Sequence, residues 1–385
     1  MDKTIRVLQF STHEEECGIA KYQKQFVDNM TDKKRIVTKY FKYSPNQTKN
    51  MSKEYFKVVL SELKEEMKNY DILHTQHELS FFKFNELEQI INVFKHTDKK
   101  LIVTVHTAPQ AQFVRARLGG LGPRSFLHYA RSKGSNIRFL KKYVLPLKEV
   151  DLILVHNVPT KESLTAFGID DSKIKIFKHP VSKLDKVFVS NEIHERLRVT
   201  RGDVVYATVG FISKSKGVLH AVKALTYLPD NYKLAIVGGI HPDSQDTHLL
   251  DELADYIHDH NLSKRVYITG FIEDDDRLNS LIKEVDICVY PYDKHYYDYV
   301  SSGSLNLAMA NEKPVVAYKT RSLLEINQDG EVVKFTKSGN YYELARAVKE
   351  LDITMYTELA SAYASSLSWD KQARELVGIY NDLIS

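Results

Sequence analysis

The sequence is poor in cysteine and tryptophan, with two cysteines and one tryptophan among 385 residues. Cys17 and Cys288 lie far apart, so they offer neither a disulfide framework nor a cysteine-rich metal cluster, and a reducing compartment is favoured. Apolar runs long enough to span a bilayer are absent, and no secretory segment precedes the first predicted strand, residues 5–10. We therefore expect a cytoplasmic protein.

An excess of charge of one sign is also lacking. Lysine and arginine total 54, aspartate and glutamate 50, and the net charge of +4 is too small to indicate nucleic-acid binding. Hydrophobic residues make up 43% and charged residues 27%, which argues against a disordered chain. The length and composition predict a globular protein with two domains.

Short β-rich segments alternate with longer helical patterns along the whole chain. This rhythm predicts βαβ units, and hence an α/β fold with two doubly wound, Rossmann-like domains that face a cleft. A charged, irregular segment follows His179-Pro180-Val181, and the alternation of strands and helices begins again after it. We predict a first domain over residues 1–183, a second over 184–368, and a C-terminal helix over 369–385 that packs back across the junction.

A helix start rich in small residues follows the apolar run that ends at Pro291-Tyr292. Ser301, Ser302 and Gly303 open this helix. A serine can cap the helix, and a glycine lets a ligand approach the backbone closely. Free amides and the helix dipole then predict an anion site here, most simply for a phosphate.

Two lysines follow another predicted strand of the same domain, residues 204–209. Lys214 and Lys216 do not have the spacing of a Walker A loop or of a dinucleotide-binding fingerprint. Alone they would indicate a solvated basic turn, but beside the serine-rich helix start they favour a phosphate clamp. Phe271 follows a third strand, and it fits a core position as well as a place beside a nucleobase.

In the first half, chemistry-bearing residues stand where strands are predicted to end. Gly18 follows the first strand, Gln76 and Glu78 follow the third, and His106 follows the fourth. The carboxyl ends of parallel strands are where this fold class builds its sites. An ordinary turn glycine and structural histidines remain open as interpretations. No known metal-ligand spacing is present, so we predict no metal site.

Residues 110–147 are basic and contain no acidic side chain. Aromatic and leucine side chains are interleaved with the basic ones. This pattern favours an anionic membrane surface or a phosphorylated acceptor, while a solvated helix pair remains open and nucleic acid is a weaker third option. The candidate contact residues are Arg115, Arg117, Arg124 and Arg131.

These motifs resemble glycosyltransferase family 4, whose members have the GT-B fold, over nearly the whole chain. Residues 308–317, which read Ala-Met-Ala-Asn-Glu-Lys-Pro-Val-Val-Ala, correspond to the family pattern Ala-Met-Ala-x-Gly-Lys-Pro-Val-Val-Ala. Lys216 matches the lysine that grips the donor diphosphate, and Gly18 matches a glycine beside that diphosphate. His106 matches a histidine that lies against the donor sugar, and Glu325 matches a glutamate of a later motif.

The sequence departs from the family where most members carry two glutamates eight positions apart. Tyr299 and Leu307 stand at those positions, and Phe211 stands in place of an arginine. The chain resembles a branch with a Ser-Ser-Gly loop instead, here residues 301–303. These departures leave the sugar and the nucleotide base undetermined.

The resemblance implies a retaining hexosyltransferase of glycan biosynthesis that needs no metal and no cofactor, with a nucleotide diphosphate sugar as co-substrate. His106, Gln76 and Glu78 would orient the sugar and a glycan, lipid-linked or other anionic acceptor, with peripheral contact at the inner membrane face. Two alternatives stay open, a nucleotide-sugar epimerase of GT-B fold and a non-catalytic nucleotide-sugar-binding protein. The implied donor-binding residues are Gly18, Lys214, Lys216, Phe271, Ser301, Ser302, Gly303 and Glu325.

Overall fold

The computed structural model describes residues 4–12, 18–30, 36–43, 53–78, 86–95, 97–108, 137–181, 189–240 and 248–385. The chain divides into two compact units, one of Met1–Lys178 with Trp369–Ser385, and one of His179–Ser368. The domain limits at residues 183 and 184 stay a prediction. Each unit is a parallel sheet with helices between its strands, which confirms the predicted α/β class.

The first unit is built on a six-stranded sheet of order β2-β1-β3-β4-β5-β6. The strand order reverses between β1 and β3, because β2 lies on one side of β1 and the later strands lie on the other. A doubly wound sheet has a crevice at such a point. The strands are β1 (Ile5–Thr12), β2 (Ile36–Tyr43), β3 (Ile72–His77), β4 (Lys100–Val105), β5 (Leu152–Val155) and β6 (Ile174–Ile176). The helices are α1 (Gly18–Asn29), α2 (Lys53–Glu66), α3 (Glu86–Phe94) and α4 (Val158–Ala166), with 3₁₀ turns at Met67–Asn69, Leu145–Glu149 and Asp171–Lys173.

The second unit has a six-stranded sheet of order β12-β11-β10-β7-β8-β9, which reverses between β7 and β10. Its strands are β7 (Val204–Val209), β8 (Tyr232–Val237), β9 (Val266–Ile268), β10 (Ile287–Tyr290), β11 (Val315–Tyr318) and β12 (Lys334–Thr336). Its helices are α5 (Glu192–Leu197), α6 (Val218–Leu225), α7 (His248–Asp259), α8 (Asp275–Lys283), α9 (Lys294–Tyr297), α10 (Gly303–Ala310), α11 (Arg321–Leu324), α12 (Tyr341–Lys349) and α13 (Ile353–Ser366). The 3₁₀ turns are Lys214–Lys216 and Glu325–Asn327.

Both faces of each sheet are covered. Successive residues of a strand point to opposite faces, so adjacent residues are buried in different clusters. In β1, Val7 belongs to one buried cluster and Leu8 to the other. In β7, Tyr206 and Ala207 likewise belong to two different buried clusters. The continuous apolar runs of the strands are therefore the consequence of burial on two sides.

The C-terminal helix α14 (Trp369–Ile384) belongs to the first unit and packs on α1. Trp369, Leu376 and Tyr380 of this helix join the same buried cluster as Val7. The Tyr380 hydroxyl accepts a hydrogen bond from Nε2 of Gln9 at 3.0 Å. The only tryptophan of the chain therefore helps to seal one face of the first sheet.

The last strand begins later than its apolar pattern predicts. Residues 332–335 form the predicted strand, whereas β12 begins at Lys334. The Oδ1 atom of Asn327 accepts hydrogen bonds from the backbone amides of Val332 and Val333 at 3.0 and 2.8 Å. This turn takes the two amides away from the sheet.

Candidate functional site

The loop after β7 is shaped by a close approach to the backbone after β10. A Cβ atom on Gly217 would lie 1.9 Å from the backbone oxygen of Pro291, and the φ angle of Gly217 is +66°. Only glycine fits such a position. The two lysines lie in a 3₁₀ turn before this glycine, so they precede α6 instead of standing inside its first turn.

A hydrogen-bonded cluster joins this loop to the start of α10. Lys216 Nζ donates to the Tyr292 hydroxyl at 3.0 Å and lies 3.5 Å from Ser304 Oγ. The Tyr292 hydroxyl also lies 2.8 Å from Ser302 Oγ and 2.9 Å from Ser304 Oγ. One ammonium and three hydroxyls therefore meet at the carboxyl ends of β7 and β10, where the second sheet reverses.

Lys216 is held by aromatic rings as well as by hydroxyls. Its Nζ lies 4.5 Å from the ring centre of Tyr292 and 5.1 Å from that of Tyr297, and these two rings stack with centroids 3.9 Å apart. Burial opposes the charged form, but the neighbouring tyrosines outweigh it and raise the pKa of Lys216. In residues 189–240 and 248–385 no carboxylate pairs with this ammonium. Its charge is therefore available to an anionic ligand.

The start of α10 adds backbone donors beside the cluster. Ser302 caps the helix, and its Oγ accepts from the amide of Leu305 at 3.2 Å. A Cβ atom on Gly303 would meet no atom within 4 Å, so the first turn is open on that side. Ser301 precedes the cap and is half-buried. The predicted residues Ser302 and Lys216 are thus brought together, through Tyr292.

The structure separates the two predicted lysines. Lys214, unlike Lys216, lines a cavity of about 420 Å³. His220 and Tyr318 also line this cavity, with His220 Nδ1 3.2 Å from the Tyr318 hydroxyl. Burial and the charge of Lys223 lower the pKa of His220. The donor-binding role of Lys214 stays a prediction.

Two exposed aromatic rings lie near the ends of β7 and β9. Phe211 and Phe271 are parallel within 7°, with centroids 5.9 Å apart, and are 40% and 42% exposed. Gly239 is required beneath them, since a Cβ there would lie 2.4 Å from the amide nitrogen of Phe271. Of the two interpretations of Phe271, the exposure favours a surface that a flat apolar ligand can cover over a core position.

Glu325 begins the 3₁₀ turn after α11 and is half-buried. Burial and the nearby Glu325 carboxylate raise the pKa of Tyr363 to about 12. Tyr299 and Leu307 stand at the positions where the family carries glutamates. The Tyr299 hydroxyl accepts from Arg321 at 3.2 Å, and Leu307 packs against the core of the second unit.

The first unit gathers polar side chains at the ends of β3, β4 and β5. Gln76 is the partner of His106, with Oε1 2.8 Å from Nε2. Nδ1 of His106 lies 3.2 Å from Nε2 of His156, and Nδ1 of His156 donates to the carbonyl of Phe177 at 2.9 Å. Glu78 directly follows β3 and is half-buried. Two of the three predicted catalytic residues are therefore in direct contact.

Gly18 lies at the first position of α1, at the same edge of the first sheet. A Cβ atom on it would meet nothing within 4 Å. Its place after β1 fits the crevice between β1 and β3. Its role beside a diphosphate stays a prediction.

Two histidines of β3 are core residues. His74 lies 2.7 Å from the Tyr380 hydroxyl and 2.7 Å from Thr104 Oγ1. Burial lowers the pKa of His74 to about 3 and that of His77 to about 4, so both are neutral. His74 therefore links β3 to β4 and to α14.

The predicted acceptor residues lie outside the described residues. These residues are Arg115, Arg117, Arg124 and Arg131. Over the described ranges, no group of three or more histidine, cysteine, aspartate or glutamate side chains could hold a metal ion. Among the helices in those same ranges, none is long and apolar enough to cross a membrane.

Three side chains of these clusters were not predicted from the sequence: Tyr292, Ser304 and His156. Tyr292 follows Pro291 after an apolar strand and is typical of a core residue. His156 follows β5, at a strand end like His106, and this position is the one signal that could have found it.

Comparisons with known proteins agree with the architecture. Residues 189–353 match the family described as Glycosyl transferases group 1, so this part of the second unit is a glycosyltransferase domain. The search of curated proteins finds no match.

Solved structures of low sequence identity share the fold of the whole chain. HepE of Anabaena in complex with UDP has a TM-score of 0.72 and 15% identity, covering 98% of this chain and 100% of that one. Sucrose-phosphate synthase of Thermosynechococcus elongatus has a TM-score of 0.70 and 16% identity, covering 98% and 99%. A glycosyltransferase of Rickettsia africae has a TM-score of 0.68 and 16% identity, covering 99% of both chains. These likenesses place the chain in the GT-B fold.

Proposed function

We propose that this chain, a glycosyltransferase by its group 1 domain, transfers a sugar from a nucleotide diphosphate sugar to an acceptor with retention of anomeric configuration. The observation that carries the proposal is the ammonium of Lys216, which is fixed by Tyr292 and lacks a carboxylate partner in residues 189–240 and 248–385. A fixed, uncompensated positive charge beside an open helix start suits a diphosphate.

The same residues suit the chemistry of the transfer. When the glycosidic bond to the donor breaks, the leaving diphosphate gains negative charge. Lys216 and the free amides of the α10 start would stabilise that charge without reorganising, because Tyr292 and the Ser302 cap already hold them in place. We therefore propose that transfer needs no metal ion, since a fixed cation neutralises the leaving group.

UDP-glucose is the first donor to test. HepE of Anabaena, which shares the fold, has been solved in complex with UDP-glucose, with a TM-score of 0.66 and 15% identity. We propose that Phe211 and Phe271 present an apolar surface to the nucleobase. In the first unit, we propose that His106, Gln76 and Glu78 bind hydroxyls of the sugar or of the acceptor.

The acceptor is proposed to be a glycan, a lipid-linked molecule or another anionic molecule. The support is the basic segment over residues 110–147, in which arginine and lysine occur without any acidic side chain. Such a segment can hold a phosphorylated acceptor or contact an anionic leaflet. A cytoplasmic location at the inner face of a membrane is part of this proposal.

A non-catalytic nucleotide-sugar-binding protein is the second candidate. It is favoured by Tyr299 and Leu307, which put no carboxylate where the family has glutamates. The two candidates differ in turnover, since both require donor binding.

The test is a transfer assay with UDP-, GDP- and ADP-sugars, with oligosaccharide and lipid pyrophosphate acceptors, and with nucleoside diphosphate release as the readout. Lys216→Met should abolish release. Lys223→Met is the matched control, because Lys223 lies on α6 over the ring of Tyr256 and should leave the activity unchanged. Donor binding without release for any acceptor would support the non-catalytic candidate and overturn the transfer reaction.

A further inference from the structure

A chain of hydrogen bonds runs through His106 and His156 of the first unit, and the Phe177 carbonyl fixes its direction at one end. The Phe177 carbonyl can only accept, so Nδ1 of His156 carries a hydrogen and donates to it at 2.9 Å. His156 is 6% exposed, and a charged imidazole at such a site would be costly. Its other nitrogen, Nε2, is therefore bare.

The bare nitrogen of His156 determines the state of the next ring. Nε2 of His156 faces Nδ1 of His106 at 3.2 Å. Two lone pairs at this distance would repel, so Nδ1 of His106 carries a hydrogen and donates it. We propose that His156 is a positioning residue that holds His106 in the tautomer with its hydrogen on Nδ1.

The consequence falls on the opposite nitrogen of His106, Nε2, which lies 2.8 Å from Oε1 of Gln76. In neutral His106, Nε2 is bare, and it accepts from the amide nitrogen of Gln76 after a half-turn of that amide, or from a ligand hydroxyl. When Nε2 gains a proton, it donates to Oε1 of Gln76 in the orientation that the structure shows. Proton exchange and hydroxyl binding by His106 therefore take place at its Nε2 atom.

The rings are also held sterically. Tyr22 meets His106 and His156 edge to face, with ring centroids 4.9 and 5.4 Å apart. Tyr22 is itself packed against Trp369 at 5.5 Å. Neither imidazole can turn over without displacing this buried tyrosine, which is 4% exposed. The hydrogen bonds and the packing therefore select the same ring orientation.

The test is ¹⁵N nuclear magnetic resonance of the histidine rings in the full chain at pH 9, where an ordinary histidine is neutral. Three proteins are compared: the unaltered chain, His156→Phe, which removes the acceptor but keeps a ring, and His156→Gln, which keeps an acceptor oxygen. We expect Nδ1 of His106 to be protonated in the unaltered chain and in His156→Gln, and Nε2 to be protonated in His156→Phe. A bare Nδ1 in the unaltered chain, or the same tautomer in all folded variants, would overturn the proposal.

The bearing of this tautomer on transfer rests on the proposed role of His106. His156→Phe should lower the transfer rate about tenfold, the usual scale for one lost hydrogen bond, and His156→Gln should restore most of it. The resonance measurement requires neither donor nor acceptor. A protein without transferase activity but with the expected tautomers would therefore contradict the proposed function and leave this inference standing.

Discussion

Replacing Tyr292 by phenylalanine removes one hydroxyl from the centre of the Lys216 cluster and leaves the ring in place. The hydroxyl has three partners, Lys216 at 3.0 Å, Ser302 at 2.8 Å and Ser304 at 2.9 Å. The two serine hydroxyls lie 3.3 Å apart and can bond to each other once it is gone, so part of the loss is recovered. We expect a net decrease of about 2 kcal/mol in the free energy of unfolding.

This decrease converts to a fall in melting temperature of about 4–8 °C for a unit of this size. The effect on binding has a different cause. Without the tyrosine hydroxyl the lysine side chain must be ordered by the ligand. This ordering costs about 0.5–1.5 kcal/mol and weakens UDP binding by a factor of about 2 to 13. Calorimetric unfolding and isothermal titration with UDP measure the two quantities separately.

Tyr206→Phe is the matched control for this prediction. Tyr206 is equally buried in the same unit, and its hydroxyl donates to the carbonyl of Ala221 at 2.8 Å, away from Lys216. It should lose stability on the scale of about 1 kcal/mol and keep its affinity for UDP. Unchanged UDP affinity in Tyr292→Phe, or an equal loss in both variants, would refute the reasoning.

Three further predictions concern other parts of the chain. Gly217→Ala should unfold the second unit, because its Cβ would lie 1.9 Å from a backbone oxygen. Gly303→Ala should fold normally and bind UDP more weakly, because its Cβ enters the open space beside the helix start. Equal melting temperatures of the two variants would contradict the expected difference in folding. Burial lowers the pKa values of His74 and His77 to about 3 and about 4, so the unfolded chain binds more protons below about pH 6.5 and stability falls with acid. Urea unfolding should show a loss of about 4 kcal/mol between pH 7 and 5, roughly halved in His77→Leu, and a flat profile would exclude neutral burial. Replacement of three arginines by glutamine should weaken binding to anionic vesicles in a sedimentation assay, and unchanged sedimentation would remove membrane contact from the proposal. The three substitutions are R115Q, R117Q and R124Q.

The sequence allows much of the fold to be predicted, because its apolar runs are set by burial on both faces of a sheet. Strand β10 (Ile287–Tyr290) and strand β7 (Val204–Val209) begin and end where their patterns predict. The cap residue Ser302 could be predicted for the same local reason, since a serine before a helix accepts from its first amides.

The contacts of the site could not be predicted, because they join residues far apart in the chain. Tyr292 resembles a core residue, and only the fold shows that its hydroxyl meets Lys216, which lies in the loop after another strand. The separation of Lys214 from Lys216 depends on the 3₁₀ turn and on the left-handed glycine that follows it. Likewise, the contact of His156 with His106 depends on the pairing of β4 with β5, the two strands that these residues follow.

Titration of UDP into the unaltered chain and into Lys216→Met tests the central claim most directly, namely that the Lys216 cluster of the second unit binds a nucleoside diphosphate. We predict that the unaltered chain binds UDP and that the variant, with its fold intact by circular dichroism, binds at least about tenfold more weakly, as expected for a lost charge-assisted contact. Equal affinity of the two proteins for UDP would contradict the account.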